Sequence, residues 1–262
     1  LIPSSGSISF SAVRFAYGTE TVGGTQGVES PPTVLDDFNL EVPAGQTIAI
    51  VGRTGSGKST IARLLMRFYE LQAGVITLDG HDITSLTQRS LRGAISLVPD
   101  EPFLFSTSVH ENIAYGNPGA TSEEVEAAAR AAQAHDFIVG LDDGYKTIVG
   151  ERGYDLSGGQ RQRISLARLF LQDSKVIILD DSTSAIDVEI EERIHHALKD
   201  LLKARTTIVI AHRLSTIALA DRVVLIDDGR VVADGTHQQL LEREPRYVET
   251  LASTVKEDQP WS

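Results

Sequence analysis

The chain has 262 residues, 41% of them hydrophobic and 23% charged, and its 24 Lys+Arg against 36 Asp+Glu give a formal charge of −12. That composition suits a folded chain with a sizeable core, and so acidic a surface repels nucleic-acid backbones and anionic lipid heads, leaving room for phosphate only in a local pocket. With no cysteine, disulfides and thiolate metal sites are excluded and a reducing compartment is permitted. No apolar run approaches the ~20 residues that span a bilayer, no signal peptide is visible, and a start at Leu1 rather than Met reads as a piece of a longer chain.

Ile8 to Phe15 sets apolar Ile8, Phe10 and Ala12 against Ser9 and Ser11, which predicts a strand. A Gly/Thr/Ser/Pro-rich stretch from Gly18 to Thr33 reads as a loop, and Phe38 to Val42 as a second strand turned by Pro43-Ala44-Gly45. Thr47 to Val51 is a short, continuously apolar run of the kind buried on both faces in parallel sheets. Ala94–Val98, Val176–Leu179, Thr206–Ala211 and Val223–Ile226 repeat that character. Helical patterns at Ser59–Phe68, Ser122–Ala132, Ser157–Leu171 and Glu189–Leu202 separate them, which predicts an α/β fold. Residues 101 to 171 carry helices without a convincing strand and read as a helical insertion. The tail after Thr236 reads as polar helix, loose from Lys256 to Ser262.

Gly52-Arg53-Thr54-Gly55-Ser56-Gly57-Lys58-Ser59 fits G-x-x-x-x-G-K-[ST] between a buried strand and a helix. Glycines let the backbone curl until successive N–H groups face an anion, and the helix N-terminus adds partial positive charge. Lys58 brings a point charge for β- and γ-phosphates, and the Ser59 hydroxyl is a ligand for Mg²⁺. The strand Val176–Leu179 runs into Asp180-Asp181. Strand carboxyl ends face the ligand crevice of an open parallel sheet, so Asp180 is placed to hold Mg²⁺ and Asp181 to orient a water. Leu156-Ser157-Gly158-Gly159-Gln160 opens a helix; on its own it reads as an N-cap with slack from the glycines.

Taken in order, these motifs resemble the nucleotide-binding domain of ABC transporters: Tyr17, the Walker A loop, Leu-Ser-Gly-Gly-Gln, the Asp180 strand, Ser184-Ala185-Ile186-Asp187, and His212 after a strand. The resemblance covers nearly the whole chain. It implies a P-loop NTPase (RecA-like) core with an antiparallel β subdomain, residues 1–100 and 172–262, and a helical subdomain, 101–171. It implies binding of ATP and Mg²⁺ through Thr54, Gly55, Ser56, Gly57, Lys58, Ser59, Thr60 and Asp180, with Tyr17 stacking on adenine and His212 contacting the γ-phosphate. Ser157, Gly158, Gly159 and Gln160 resemble the signature motif, which meets ATP held by a second domain, so two domains close head-to-tail; Asp187 resembles the aspartate at their seam. Thr147 to Gly153 resembles the X-loop of exporters. With Asp100 to Phe105, it implies contact with a transmembrane domain at the cytoplasmic face of a membrane.

Two positions depart from the family pattern. Asp181 stands where glutamate is usual and is shorter by one methylene, about 1.5 Å; misplacement of about 1 Å can lower a rate ~100-fold when a water must be oriented. Asp100 stands where glutamine is usual, reaches less far and donates no hydrogen bond, though it remains a ligand for Mg²⁺. Both changes fall around one nucleotide while the signature is intact. The expectation is a slow site on this chain and a faster one completed on a non-identical partner. Two other readings are a regulatory module in which ATP acts as dimerisation glue, and a soluble nucleic-acid ATPase, which the charge of −12 and the X-loop oppose.

Overall fold

The buried apolar runs form five neighbouring strands of a six-stranded sheet. The computed structural model describes residues 5–18, 32–150 and 156–257; most of the expected loop from Gly18 to Thr33, Glu151-Arg152-Gly153 of the X-loop, and the last five residues of the tail lie outside them. In chain order the elements are β1 (Ile8–Ala16), β2 (Thr33–Val42), β3 (Thr47–Val51), α1 (Lys58–Leu65), β4 (Ala73–Leu78), β5 (His81–Asp82), α2 (Gln88–Ala94) and β6 (Ile95–Val98). They continue with α3 (Val109–Ala114), α4 (Ser122–Ala131), α5 (His135–Val139), α6 (Gly158–Leu171), β7 (Val176–Asp180), α7 (Val188–Leu202), β8 (Thr206–Ile210), α8 (Leu214–Ile217), β9 (Arg222–Asp227), β10 (Arg230–Gly235), α9 (His237–Arg243) and α10 (Pro245–Glu257).

The large sheet runs β10-β9-β3-β8-β7-β6. All its pairs are parallel except the β9–β10 hairpin. Side-chain alternation divides its strands between two cores. Ile48, Ile50, Ile178, Ile208 and Ile210 point to the core shared with the small sheet and α1. Ala49, Val51, Ile177, Leu179 and Val209 point to the core shared with α6, α7 and the helices after β6. This is why the runs carry apolar residues on both faces instead of alternating.

The small sheet, β2-β1-β4-β5, is antiparallel. Here one sequence expectation needs correction. Ala12 does not continue the inward row of Ile8 and Phe10: the register shifts between Phe10 and Val13, Ala12 takes φ +47°, and it is exposed while Val13 and Phe15 are buried. The extra residue is a β-bulge that restores the inward phase one position later, and Asn39 Oδ1 accepts the freed Ala12 N–H at 2.8 Å. β2 also begins at Thr33, five residues before the expected start, and β4, β5, β10, α2, α3, α5 and α8 have no counterpart in the sequence reading.

Between β6 and β7 the described residues form helices and one isolated bridge, Ser108–Ile148. Capping boxes fix where three of these helices start: Ser108 with Glu111, Thr121 with Glu124, and Ser157 with Gln160. No helix among the described residues is long and apolar enough to cross a membrane.

Candidate functional site

Four neighbouring parallel strands, β3, β8, β7 and β6, end on the same edge of the sheet. Their carboxyl ends deliver, in that order, the glycine-rich loop, His212, Asp180-Asp181 and Asp100. The crevice beyond such strand ends is where open α/β sheets take ligands.

The loop is shaped by close packing. A Cβ on Gly52 would collide with Ile226 O, and one on Gly57 would sit 2.8 Å from Leu35 Cδ2 at a φ of +100°. Gly57 then caps α1, accepting the Ile61 N–H at 3.2 Å. Lys58 is 5% exposed. It folds over the loop, its Nζ donating to Gly52 O at 2.8 Å and Arg53 O at 3.0 Å. Ser56 Oγ is buried and makes no hydrogen bond. An orphaned hydroxyl inside a curl of backbone, beside a buried ammonium, fits an anionic group with several acceptor oxygens.

A cleft of about 440 Å³ joins this loop (Thr54, Gly55, Gly57, Lys58, Ser59, Thr60) to Tyr17, Arg63 and His212. Tyr17 packs edge-on against Phe15 and Tyr69, with ring centroids 4.8 Å and 5.1 Å away. Its hydroxyl lies 2.9 Å from Thr60 Oγ1 and accepts from Arg63 Nη1 at 3.2 Å. The ring is held from both ends at the wall of the cleft.

Ser59 Oγ donates to Asp180 Oδ1 at 3.4 Å. Burial pushes the Asp180 carboxyl above the ordinary carboxylate range, Asp100 pushes the same way, and Ser59, Arg63 and Lys58 oppose it. A hydroxyl beside a carboxylate is an oxygen pair suited to Mg²⁺, which keeps several waters and shares its coordination with phosphates. No group of three or more His, Cys, Asp or Glu that could hold a metal occurs among the described residues. Asp181 adopts the left-handed φ of +42°. Its N–H donates to Ile210 O at 3.2 Å and its carbonyl accepts from Ser184 N at 3.2 Å, which pins the turn between β7 and α7 to the end of β8.

Asp100 is not in the lining of the first cleft, although its charge acts on Asp180. Its Oδ1 accepts from Ser184 Oγ at 3.2 Å, and Gln162 Nε2 donates to Asp100 O at 3.3 Å and to Ser184 Oγ at 3.0 Å. These residues, with Glu101, Arg161 and Gly158, line a second cleft of about 710 Å³. The Ser157–Gln160 turn opens beside it. Ser157 caps α6, accepting Gln160 N–H at 3.2 Å while Gln160 Oε1 accepts Ser157 N–H at 2.8 Å. Gly159 is required by packing, since a Cβ would lie 2.5 Å from Ala185 O; at Gly158 a Cβ would meet Ala185 Cβ at 3.4 Å and Arg161 Nη2 at 4.0 Å. Asp187 caps α7 through its carbonyl, which accepts from Glu191 N at 2.8 Å.

Phe103, Phe105 and Tyr115 form an exposed aromatic group over Arg168, while Leu104 is fully buried. Ile148 is 64% exposed. The sequence reading missed a polar knot in which buried Thr183 and Glu191 meet half-buried Arg213 and exposed Ser215. Its signal was available: Glu191 falls in phase with Ile194, His195, Leu198 and Leu202, the buried stripe of α7.

The family profile described as ABC transporter matches residues 35–184. The chain is 47% identical over 247 residues to the ATP-dependent lipid A-core flippase of Desulfotalea psychrophila, covering 94% of this chain and 41% of that protein. It is 46% identical over 248 residues to ABC transporter B family member 14 of Arabidopsis thaliana, covering 95% of this chain and 19% of that one. Among solved structures, that of a bacterial Atm1-family ABC exporter with ATP bound superposes with a TM-score of 0.89 at 43% identity, covering 97% of this chain and 43% of the other. The chain thus spans less than half the length of these relatives. A phosphate-type loop, its strand-end partners and a second helix-opening turn, in a sheet of this order, agree with those matches: the chain belongs to the ABC transporter family and carries its ATPase domain.

Proposed function

We propose that this chain is the ATP-driven motor domain of a membrane exporter, working at the cytoplasmic face. The observation that carries the reading is the row of site residues along the ends of β3, β8, β7 and β6. Lys58 and the loop N–H groups hold the triphosphate, and Tyr17, its hydroxyl fixed by Thr60 and Arg63, offers a ring face to adenine. Ser59 and Asp180 are the residues that would hold Mg²⁺. The ion, when bound, neutralises charge that develops on the phosphates. Asp181 orients the attacking water and His212 contacts the γ-phosphate side.

The two clefts have separate linings. The Ser157–Gln160 turn therefore serves a nucleotide carried by a second domain, and closure is head-to-tail. Asp181 reaches less far than glutamate, and Asp100 is engaged by Ser184, so this chain's own nucleotide turns over slowly. The partner is then a non-identical domain carrying glutamate at the position of Asp181. Exposed Phe103, Phe105 and Ile148 support docking of the transmembrane domain through residues 100–105 and 147–153.

Calorimetry on the full-length protein should show Mg²⁺-ATP binding that Lys58→Ala weakens at least ~10-fold, a loss of about 1.4 kcal/mol. Phosphate release should be slow for this chain alone and rise when the partner is added. Absence of binding in both settings refutes the assignment. Binding with no release in either favours ATP as dimerisation glue, the reading that Asp181 and Asp100 would also suit.

A further inference from the structure

Glu191 is a charged residue on the buried stripe of α7, with 3% of its surface exposed. Its Oε1 accepts from Thr183 Oγ1 at 2.8 Å and from Ser215 Oγ at 3.1 Å; its Oε2 accepts from Arg213 Nη1 at 3.1 Å. Arg213 also donates to Thr183 O at 3.5 Å, and the imidazole of His195 lies 3.6 Å from Oε1. Burial holds that imidazole below its ordinary value, against the pull of the carboxylate, so the positive charge facing Glu191 comes from Arg213.

The donors come from two different connections, the turn after β7 and the segment after β8 that runs into α8. Thr183 stands two residues after Asp181 at the end of β7, and Arg213 and Ser215 follow His212 at the end of β8. A buried carboxylate is stable only while its donors stay in place, because each one that withdraws leaves charge uncompensated in a medium of low dielectric. One carboxylate with donors from both loops therefore fixes their separation. Glu191 itself is not part of the lining of the phosphate cleft.

We propose that Glu191 is a positioning residue for ATP hydrolysis, clamping the His212 loop to the Asp181 loop so that both side chains meet one phosphate group. The inference rests on the reading of the first cleft as the ATP site. Thr183, Arg213 and Ser215 are the parts through which the clamp acts.

The test uses the full-length protein with its partner. Glu191→Gln keeps the shape and the acceptor for Thr183 and Ser215 but removes the charge that faces Arg213. Its kcat should fall about 10-fold while KM for Mg²⁺-ATP stays within about twofold, since positioning acts on the chemical step. In a His212→Ala background the same change should alter kcat by less than about twofold, because residues that act as a unit are not additive. Arg213→Gln approaches the link from the other side, should show the same kcat-against-KM split, and carries the test should Glu191→Gln not fold. Unchanged kcat in both variants, an equal loss with and without His212, or a raised KM with kcat intact overturns the clamp. A wild-type protein that neither binds nor hydrolyses Mg²⁺-ATP instead overturns the ATP site beneath it.

Discussion

Asp181 combines two constraints in one residue. Its φ of +42° lies in the left-handed region, which aspartate tolerates better than longer side chains because its short polar group can bond locally. Glutamate there would extend the carboxylate by about 1.5 Å toward a water at the phosphate, but would sit less easily in that conformation. Asp181→Glu should therefore raise phosphate release at this chain's site in the assembled protein while lowering stability by about 0.5–1 kcal/mol, within the left-handed penalty for a bulkier residue. Single-site turnover and a denaturation midpoint measured together check the pair of effects. If Asp100, held by Ser184, masks the gain, the Asp181→Glu/Asp100→Gln protein should reveal it; unchanged turnover in both refutes the positional account.

The signature turn shows how one element separates packing from function. Both glycines open α6, yet only Gly159 is pressed against its own chain, with a built Cβ 2.5 Å from Ala185 O. Gly159→Ala should destabilise the fold by roughly 1–3 kcal/mol, as overpacking does. Gly158→Ala meets nothing closer than 3.4 Å, should melt within a few degrees of wild type, and, on the proposed head-to-tail closure, should still slow hydrolysis of the partner's nucleotide. Equal melting points for the two, or full activity in Gly158→Ala, would undo the division. The glycines, the Ser157 cap and the phosphate loop were readable because fixed spacing encodes local backbone geometry. The Ala12 bulge was not, since its cause is the pairing of β1 with both β2 and β4. Nor was α3, whose six residues are too short for a periodic pattern to stand out. Glu191 was hidden by its chemistry: a lone glutamate among many reads as surface until its phase with Ile194 and Leu198 is noticed.

At the scale of the whole molecule, the phosphate loop and the signature turn sit in different clefts of about 440 Å³ and 710 Å³, which supports the proposal that one chain holds two half-sites instead of one complete site. The halves differ in quality. The loop half carries Asp181, which shortens reach, and Asp100 acts on Asp180 from the lining of the second cleft, while the turn half keeps Ser157, both glycines and Gln160. That inequality predicts unequal consequences for the assembled transporter. Lys58→Ala, which disables this chain's own loop, should lower total turnover by less than about twofold; Gly158→Arg, which fills the turn offered to the partner's nucleotide, should lower it by more than ~10-fold. The corresponding lysine change in the partner should be as severe as Gly158→Arg, since both strike the same composite site. Steady-state phosphate release from the three proteins, with nucleotide binding measured alongside, decides the matter. Equal losses from Lys58→Ala and Gly158→Arg would mean that both composite sites work at the same rate, which is the behaviour of two identical chains facing each other.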